Sequence, residues 1–263
     1  MSAIRASRGA PRIPLPIRSI KRAPNTQVTE LASGKISKAE ALVRWQHPAL
    51  GLISPVDFIP LAEESGLIVG IGDWVFKQAL QQCKHWRAMY DPAFEVSVNK
   101  SPAQFKSDSS DSDDWLAHLH QQEMPGSSLV IEITEGLLLD VDDSVRDKLL
   151  AFRDAGVQVA IDDFGTGYSS LSYLRELDID YLKIDRAFIH GMDSNKNQMA
   201  LCEAIIVMAH KLGLKVVAEG VETQSQHDIL FGAGCDYAQG YLYSRPVPAE
   251  QLELLLQADG GKP

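Results

Sequence analysis

The chain has 263 residues, a length that suits a single α/β barrel of about 250 residues. With 45% hydrophobic and 23% charged residues it has the composition of an ordinary globular protein, which excludes fibrous and disordered classes. Its formal net charge of -10 argues against general affinity for DNA or RNA backbones, and no apolar run reaches the roughly 18 residues that cross a bilayer.

Residues 1–27 carry Arg5, Arg8, Arg12, Arg18, Lys21 and Arg22, together with Pro11, Pro14, Pro16 and Pro24, and no acidic residue. That composition predicts a basic, poorly ordered segment rather than a secretory signal, because it has no apolar core. The folded domain is expected over 28–258, with 259–263 as a tail. From Val28 onward, β-rich runs alternate with helical patterns, the signature of strand–helix units around a mainly parallel sheet. The strands read as Ile36–Arg44, Phe94–Val98, Leu129–Ile133, Val157–Ile161, Tyr181–Ile184, Lys215–Ala218 and Tyr237–Tyr243, one short of a closed eight-stranded barrel. Between them lie helices over Asp73–Tyr90 and Met199–Leu212. In the second, Leu201, Ala204, Ile205, Met208 and Leu212 recur at helical spacing and are expected to face the sheet. Ser107–Asp114 reads as a solvated loop before a helix. Cys83, Cys202 and Cys235 are far apart and form no CxxC pair, so buried thiols of a reducing cytoplasm are expected rather than disulfides or a zinc site.

Nearly every one of these strands carries a polar side chain at or near its C-terminal end: Asn99, Glu132, Asp162 with Asp163, Lys183 with Asp185, Glu219 and Gln239, with Glu40 inside the first strand. One such residue is usually a cap or a turn former. A whole series is different, since a barrel gathers its strand ends on one face, where this architecture places its chemistry. Glu40, Glu132, Asp162, Asp163 and Glu219 are hard oxygen donors and Asn99 adds a carbonyl, a set suited to Mg²⁺ or Mn²⁺. Carboxylates packed this densely repel one another unless cations sit between them. Adjacent carboxylates such as Asp162 and Asp163 can serve two ions on either side of a phosphodiester.

The stretch Asp162-Asp163-Phe164-Gly165-Thr166-Gly167-Tyr168-Ser169-Ser170 follows a strand and precedes a helix. It lacks the spacing of a dinucleotide fold and the GK[ST] of a P-loop, so it reads equally as a tight turn and as a loop whose backbone could approach a phosphate. The scattered histidines, including His118 and His120, read as structural or surface residues.

Glu40-Ala41-Leu42 followed by Val43-Arg44-Trp45 resembles the opening motif of the EAL-domain phosphodiesterases of bacterial cyclic di-GMP signalling. The likeness continues through Ser97-Val98-Asn99, Ile131-Glu132-Ile133-Thr134-Glu135, Asp162–Ser170, Leu182-Lys183-Ile184-Asp185, Ala218-Glu219-Gly220-Val221-Glu222 and Gln239-Gly240-Tyr241-Leu242. The resemblance implies a TIM-like (β/α)8 barrel whose first strand runs antiparallel to the rest, and hydrolysis of cyclic di-GMP to linear pGpG. It further implies Glu40, Asn99, Glu132 and Asp162 as ligands of one metal, Asp162 and Asp163 reaching a second, and Glu219 as a further ligand or water-positioning carboxylate. Lys183 would hold the attacking water, Arg44 a substrate phosphate, and Gln239 water or substrate. Glu135 would brace the loop after Asp163, while Asp185 and Glu222 match motif positions without a defined role. A homodimer is the assembly the resemblance implies.

The sequence departs from the family where members open with an aromatic-Gln-Pro strand whose glutamine reaches the ligand. The aligned positions here read Asn25-Thr26-Gln27. A degenerate eighth strand follows as the expectation, with Ile17–Lys21 as a makeshift replacement, an intact metal centre and weakened substrate binding. Three other functions compete with the hydrolase: a cyclic di-GMP receptor that does not cut, an enolase-type enzyme with Lys183 as base, and a glycosidase. The first predicts loss of metal ligands, which this sequence keeps. The other two leave Asn99, Asp163 and the glycine loop unused or exceed the carboxylates they need.

Overall fold

The protein is described here by a computed structural model covering residues 20–21, 25–106, 111–138, 141–165, 174 and 177–260. Its centre is a closed eight-stranded barrel in the order β10-β11-β2-β3-β6-β7-β8-β9. These strands are β2 (Asn25–Glu30), β3 (Ile36–Ala41), β6 (Glu95–Asn99), β7 (Leu129–Thr134), β8 (Gln158–Phe164), β9 (Tyr181–Ile184), β10 (Lys215–Ala218) and β11 (Tyr237–Ala238). From β3 round to β11 all neighbours are parallel, and β2 runs antiparallel to both β3 and β11. A second sheet outside the barrel joins β1 (Ile20–Lys21), β4 (Arg44–His47) and β5 (Gly51–Ile53).

The eighth strand is therefore not degenerate. Asn25–Glu30 is a six-residue strand, registered on β3 from Asn25 opposite Ala41 to Val28 opposite Lys38. Backbone pairing specifies it, since both flanking edges need partners and burial of unpaired N–H and C=O groups is costly. Asn25 also exchanges backbone hydrogen bonds with Val247 at 2.7 and 3.0 Å, so the barrel domain reaches ahead of Val28. Ile20–Lys21 does form a strand, but on β4 rather than in the barrel, and Ile17–Ser19 lie outside the described residues. At the other end, Asp259 accepts a hydrogen bond from the Ile36 amide at 2.8 Å and so belongs to the fold rather than to a tail.

β7 illustrates why these strands form. Leu129, Ile131 and Ile133 point outward into the apolar layer under the helices, whereas Val130 and Glu132 point into the barrel. A strand buried on both faces reads as a continuous apolar run, which leaves Glu132 as its one conspicuous charge. Inside the barrel the layers alternate in character. At the N-terminal end, Lys38 pairs with Glu95 and lies over the rings of Tyr181 and Tyr237, at 4.3 and 4.7 Å. Val28, Val130, Ala160 and Val217 fill the middle. The C-terminal mouth is polar.

The helices α1 (Pro55–Glu64), α2 (Ile68–Met89), α3 (Pro102–Phe105), α4 (Asp111–Gln121), α5 (Glu135–Leu138), α6 (Asp143–Asp154), α7 (Arg186–Ile189), α8 (Lys196–Lys211), α9 (Gln224–Gly232) and α10 (Ala249–Ala258) follow in chain order. Helix α2 starts five residues ahead of the expected Asp73. Gly72 is inside it because Gln104 packs where a side chain would stand, 2.2 Å from an ideal Cβ. On α8 the expected apolar stripe holds in part, since Ile205 and Met208 are half-buried against the core, but its centre lies one residue along. Cys202, Ile206 and Ala209 are buried, while Leu201 is 54% exposed and Ala204 is exposed too. The helix is apolar on most sides, so periodicity alone could not fix its rotation, and the smaller Cys202 and Ala209 fit the closer approach to the sheet.

The cysteines are buried and unpaired, and burial pushes the thiols of Cys83 and Cys235 up to about 12 and that of Cys202 to about 11. Among the described residues no helix is long and apolar enough to cross a membrane.

Trp86 fixes α2 to the barrel by packing edge-on against Phe94 at 5.3 Å and donating to Glu253. Trp86→Ala should cost about 3–5 kcal/mol and lower the thermal midpoint by roughly 10 °C, read by calorimetry.

Candidate metal centre

The mouth of the barrel gathers Glu40 from β3, Asn99 from β6, Glu132 from β7, Asp162 and Asp163 from β8 and Lys183 from β9. Glu219 follows β10 and Gln239 follows β11. Strand alternation explains most of this set, because inward residues two apart line the same wall. Asp162 and Asp163 need a further device, since neighbours on a regular strand point to opposite faces. The register of β8 on β9 shifts between Ile161 and Phe164, and Asp163 takes a left-handed φ of 55°. This bulge brings carboxylate oxygens of Asp162, Asp163 and Glu219 within 4.8 Å of one another. A non-glycine residue held at positive φ is strained, and such strain concentrates at functional sites.

At the centre stands the ammonium of Lys183, a residue only 2% exposed. It lies 2.7 Å from Glu219, 2.9 Å from Glu132, 3.1 Å from Asp162 and 3.5 Å from Glu40. The amide of Asn99 donates to Glu40 Oε1 at 2.9 Å. Gln239 Nε2 reaches Glu40 Oε2 at 3.0 Å and Glu219 Oε1 at 2.8 Å, and its own Oε1 is buried without a hydrogen-bond partner.

One ammonium is too little charge for this many acids. Burial and the adjacent Glu40 carboxylate push the Glu132 carboxyl well above its ordinary range, and burial lifts that of Glu219 to about 8. Asp163 is raised by burial and by Asp162. Burial presses Glu40 the same way, but the Lys183 ammonium and the amides of Gln239 and Asn99 outweigh it and hold this carboxyl below its usual range. Lys183 stays charged well above the ordinary lysine range, the carboxylates led by Asp162 overcoming the cost of burial. Crowding and burial thus raise the proton affinity of Glu132 and Glu219, and a divalent cation can neutralise the same carboxylates. The hard-oxygen donor set fits such an ion.

The sequence profile of the EAL domain family matches residues 24–246. This chain belongs to the EAL domain family. It is 42% identical over 220 residues to the bifunctional diguanylate cyclase/cyclic di-GMP phosphodiesterase MucR of Pseudomonas aeruginosa, a match covering 84% of this chain and 32% of MucR. It is also 42% identical over 231 residues to the cyclic di-GMP phosphodiesterase NbdA of the same organism, covering 88% of this chain and 29% of NbdA. The chain thus spans about a third or less of these curated relatives. Among solved structures, the PaMucR phosphodiesterase in complex with c-di-GMP superposes with a TM-score of 0.83 at 40% identity, covering 89% of this chain and 94% of that one. The BlrP1 calcium/cy-diGMP complex of Klebsiella pneumoniae superposes with a TM-score of 0.73 at 27% identity, covering 90% of this chain and 61% of that one.

The remaining motif residues of this EAL domain lie around the cluster rather than in it. Glu135 accepts the Gly165 amide at 3.0 Å. Gly165 itself is at φ 95° with the Phe188 ring 2.6 Å from where a Cβ would be, so it cannot be replaced without moving the turn. Asp185 accepts the Ala187 amide at 2.8 Å and caps α7. The Glu222 amide donates to Gln226, and Arg44 Nη1 donates to the Val43 carbonyl at 2.8 Å. Residues 166–173 of the glycine stretch and the helix expected after it are outside the described residues.

Two cavities flank the cluster. One of about 360 Å³ includes Arg44, Glu63, Gln104 and Asn99 in its wall. The other, about 260 Å³, includes Thr26, Arg186, Gln239 and Tyr241. Sequence reasoning missed Glu63, Thr26, Arg186 and Tyr241 as site residues. Arg186 directly follows Asp185 and Tyr241 stands two places after Gln239, so those two were within reach. Glu63 on α1 gave no signal, because a lone helix carboxylate is usually a solvated one.

Glu135 holds the turn that follows Asp163. Glu135→Ala should weaken divalent-ion binding by about 10–100-fold, measured by calorimetry, and Glu135→Gln, which keeps an acceptor, should recover part of the loss.

Proposed function

We propose that this EAL domain hydrolyses cyclic di-GMP to linear pGpG, using two divalent ions, Mg²⁺ or Mn²⁺. The observation that carries the reading is the bulged strand β8, which brings the oxygens of adjacent Asp162 and Asp163 within 4.8 Å of Glu219 at the barrel mouth, beside one buried lysine. The cyclic di-GMP named in the PaMucR and BlrP1 complexes supports the substrate, and the calcium named in the latter supports an ion at this mouth.

Glu40, Asn99, Glu132 and Asp162 would hold one ion, and Asp162 with Asp163 the second. When bound, the ions supply Lewis-acid polarisation and neutralise the phosphodiester charge. The rest is done by the protein. Lys183 orients the attacking water with its N–H donors, Glu219 beside the ammonium positions that water, and the proton the water gives up ends on the departing 3′ oxygen. The water oxygen bonds to phosphorus while the P–O3′ bond opens, so one phosphodiester becomes a 5′-phosphate and a free 3′-hydroxyl, as in pGpG. Gln239 offers its unpartnered Oε1 to a donor, either the water or a ribose hydroxyl. Arg44 is positioned in the cavity wall to meet a phosphate by turning from Val43. A homodimer is the assembly proposed on the family resemblance, and light scattering at micromolar concentration tests it.

Incubation with cyclic di-GMP and Mn²⁺ should yield pGpG, and chelation should abolish the product. Binding without product would make the domain a receptor instead. Glu40→Gln and Lys183→Met should each lower the rate by ~10²-fold or more with the fold intact by circular dichroism.

Thr26 occupies the position of the family's ligand-reaching glutamine and lines the smaller cavity. Restoring that side chain in Thr26→Gln should lower KM several-fold at unchanged kcat, the effect of about 1 kcal/mol from one hydrogen bond.

A further inference from the structure

The ammonium of Lys183 touches carboxylates from four different strands or strand ends, and three of them, Glu40, Glu132 and Asp162, are the acids assigned above to an ion. A lysine and a divalent ion therefore draw on the same carboxylates. We propose that Lys183 is a tethered competitor of the ion: it holds the acidic ring together until an ion arrives, must then cede Glu40, Glu132 and Asp162, and so sets the affinity of the site. The inference rests on the divalent-ion reading of the mouth.

Three observations support it. The ammonium holds one oxygen of each of the three acids, Glu40 Oε2, Glu132 Oε2 and Asp162 Oδ1, at 2.9–3.5 Å, and so occupies half the donor capacity that a divalent ion would draw on. Lys183 has somewhere to go, because Glu219 is its shortest contact and stands to the side where Gln239 bridges Glu219 and Glu40. The side chain is also almost fully buried, so solvent screens its charge little and its presence weighs directly on any second cation.

The consequence runs against what a residue that merely orients water would show. Removing the lysine charge lowers turnover in either case, but under competition it tightens ion binding. In chelated protein without substrate, calorimetric titration with Mn²⁺ should show Lys183→Gln binding roughly 10-fold or more tightly than the wild type, within the range of coupling between interacting sites. Lys183→Arg, which keeps the charge, should bind no more tightly than the wild type. The thermal midpoint of chelated Lys183→Gln should fall below that of the wild type, and saturating Mn²⁺ should close the gap. Folding of Lys183→Gln only in the presence of Mn²⁺ would be the same result in stronger form.

Equal or weaker affinity in Lys183→Gln overturns the competition and leaves the ion reading standing. Failure of that variant to fold with or without Mn²⁺ also overturns it, since the ammonium would then not be exchangeable for an ion. If the wild type and both variants bind no divalent ion, the ion reading itself fails, and the competition with it.

Discussion

Packing several acids around one buried ammonium is the constraint around which this molecule is organised. Like charges at such distances would drive the strands apart if all were ionised and unpaired, and the barrel admits no relaxation, because its strands are paired on both edges. The structure answers with one fully buried ammonium, two amides that donate into the ring from Asn99 and Gln239, and carboxyls at Glu132 and Glu219 whose hold on a proton is raised by burial. Each of these groups comes from a different strand. The charge balance is thus a property of barrel closure, and a shift of any one strand by a single residue would take its member out of the mouth.

Closure in turn depends on β2, the element that the sequence concealed. Its first three residues, Asn25, Thr26 and Gln27, carry little strand signal, and basic, proline-bearing sequence precedes them. What defines the strand is the gap between β3 and β11, together with Val28, which enters the barrel interior beside Val130 and Val217. Tertiary pairing overrides local propensity here, as is usual for β structure. The outer sheet of β4 and β5 was hidden for a related reason. Arg44 reads as the end of the preceding strand, yet the chain breaks at Leu42 and Val43 and begins new pairing away from the barrel.

The acids themselves were legible because of where they stood. Glu132 interrupts an apolar run, Lys183 does the same in Tyr181–Ile184, and in a parallel barrel strand such an interruption has no solvent face to point to. The bulge at Asp162 and Asp163 was not legible. An Asp-Asp pair after a strand suits a turn or a regular strand end equally well, and only the register on β9 decides that both reach the mouth. The rotation of α8 failed for want of contrast, since a helix with apolar residues on most sides satisfies several phases and the fit of Cys202 and Ala209 against the sheet selects among them.

Electrostatics and geometry meet at β8. A regular strand would present only Asp162 to the ring, leaving Asp163 on the outer face against apolar helices, where an unpaired carboxylate is costly. The positive φ of Asp163 spends backbone strain to avoid that burial and places the second acid beside the first. The turn so created is then secured from two sides, by the Glu135 carboxylate on the Gly165 amide and by the Phe188 ring packed where a side chain on Gly165 would be. Phe188 belongs to α7, whose N-terminus is capped by Asp185, two residues after Lys183. Through that short path, the placement of the second acid and the placement of the central ammonium are fixed by the same piece of chain.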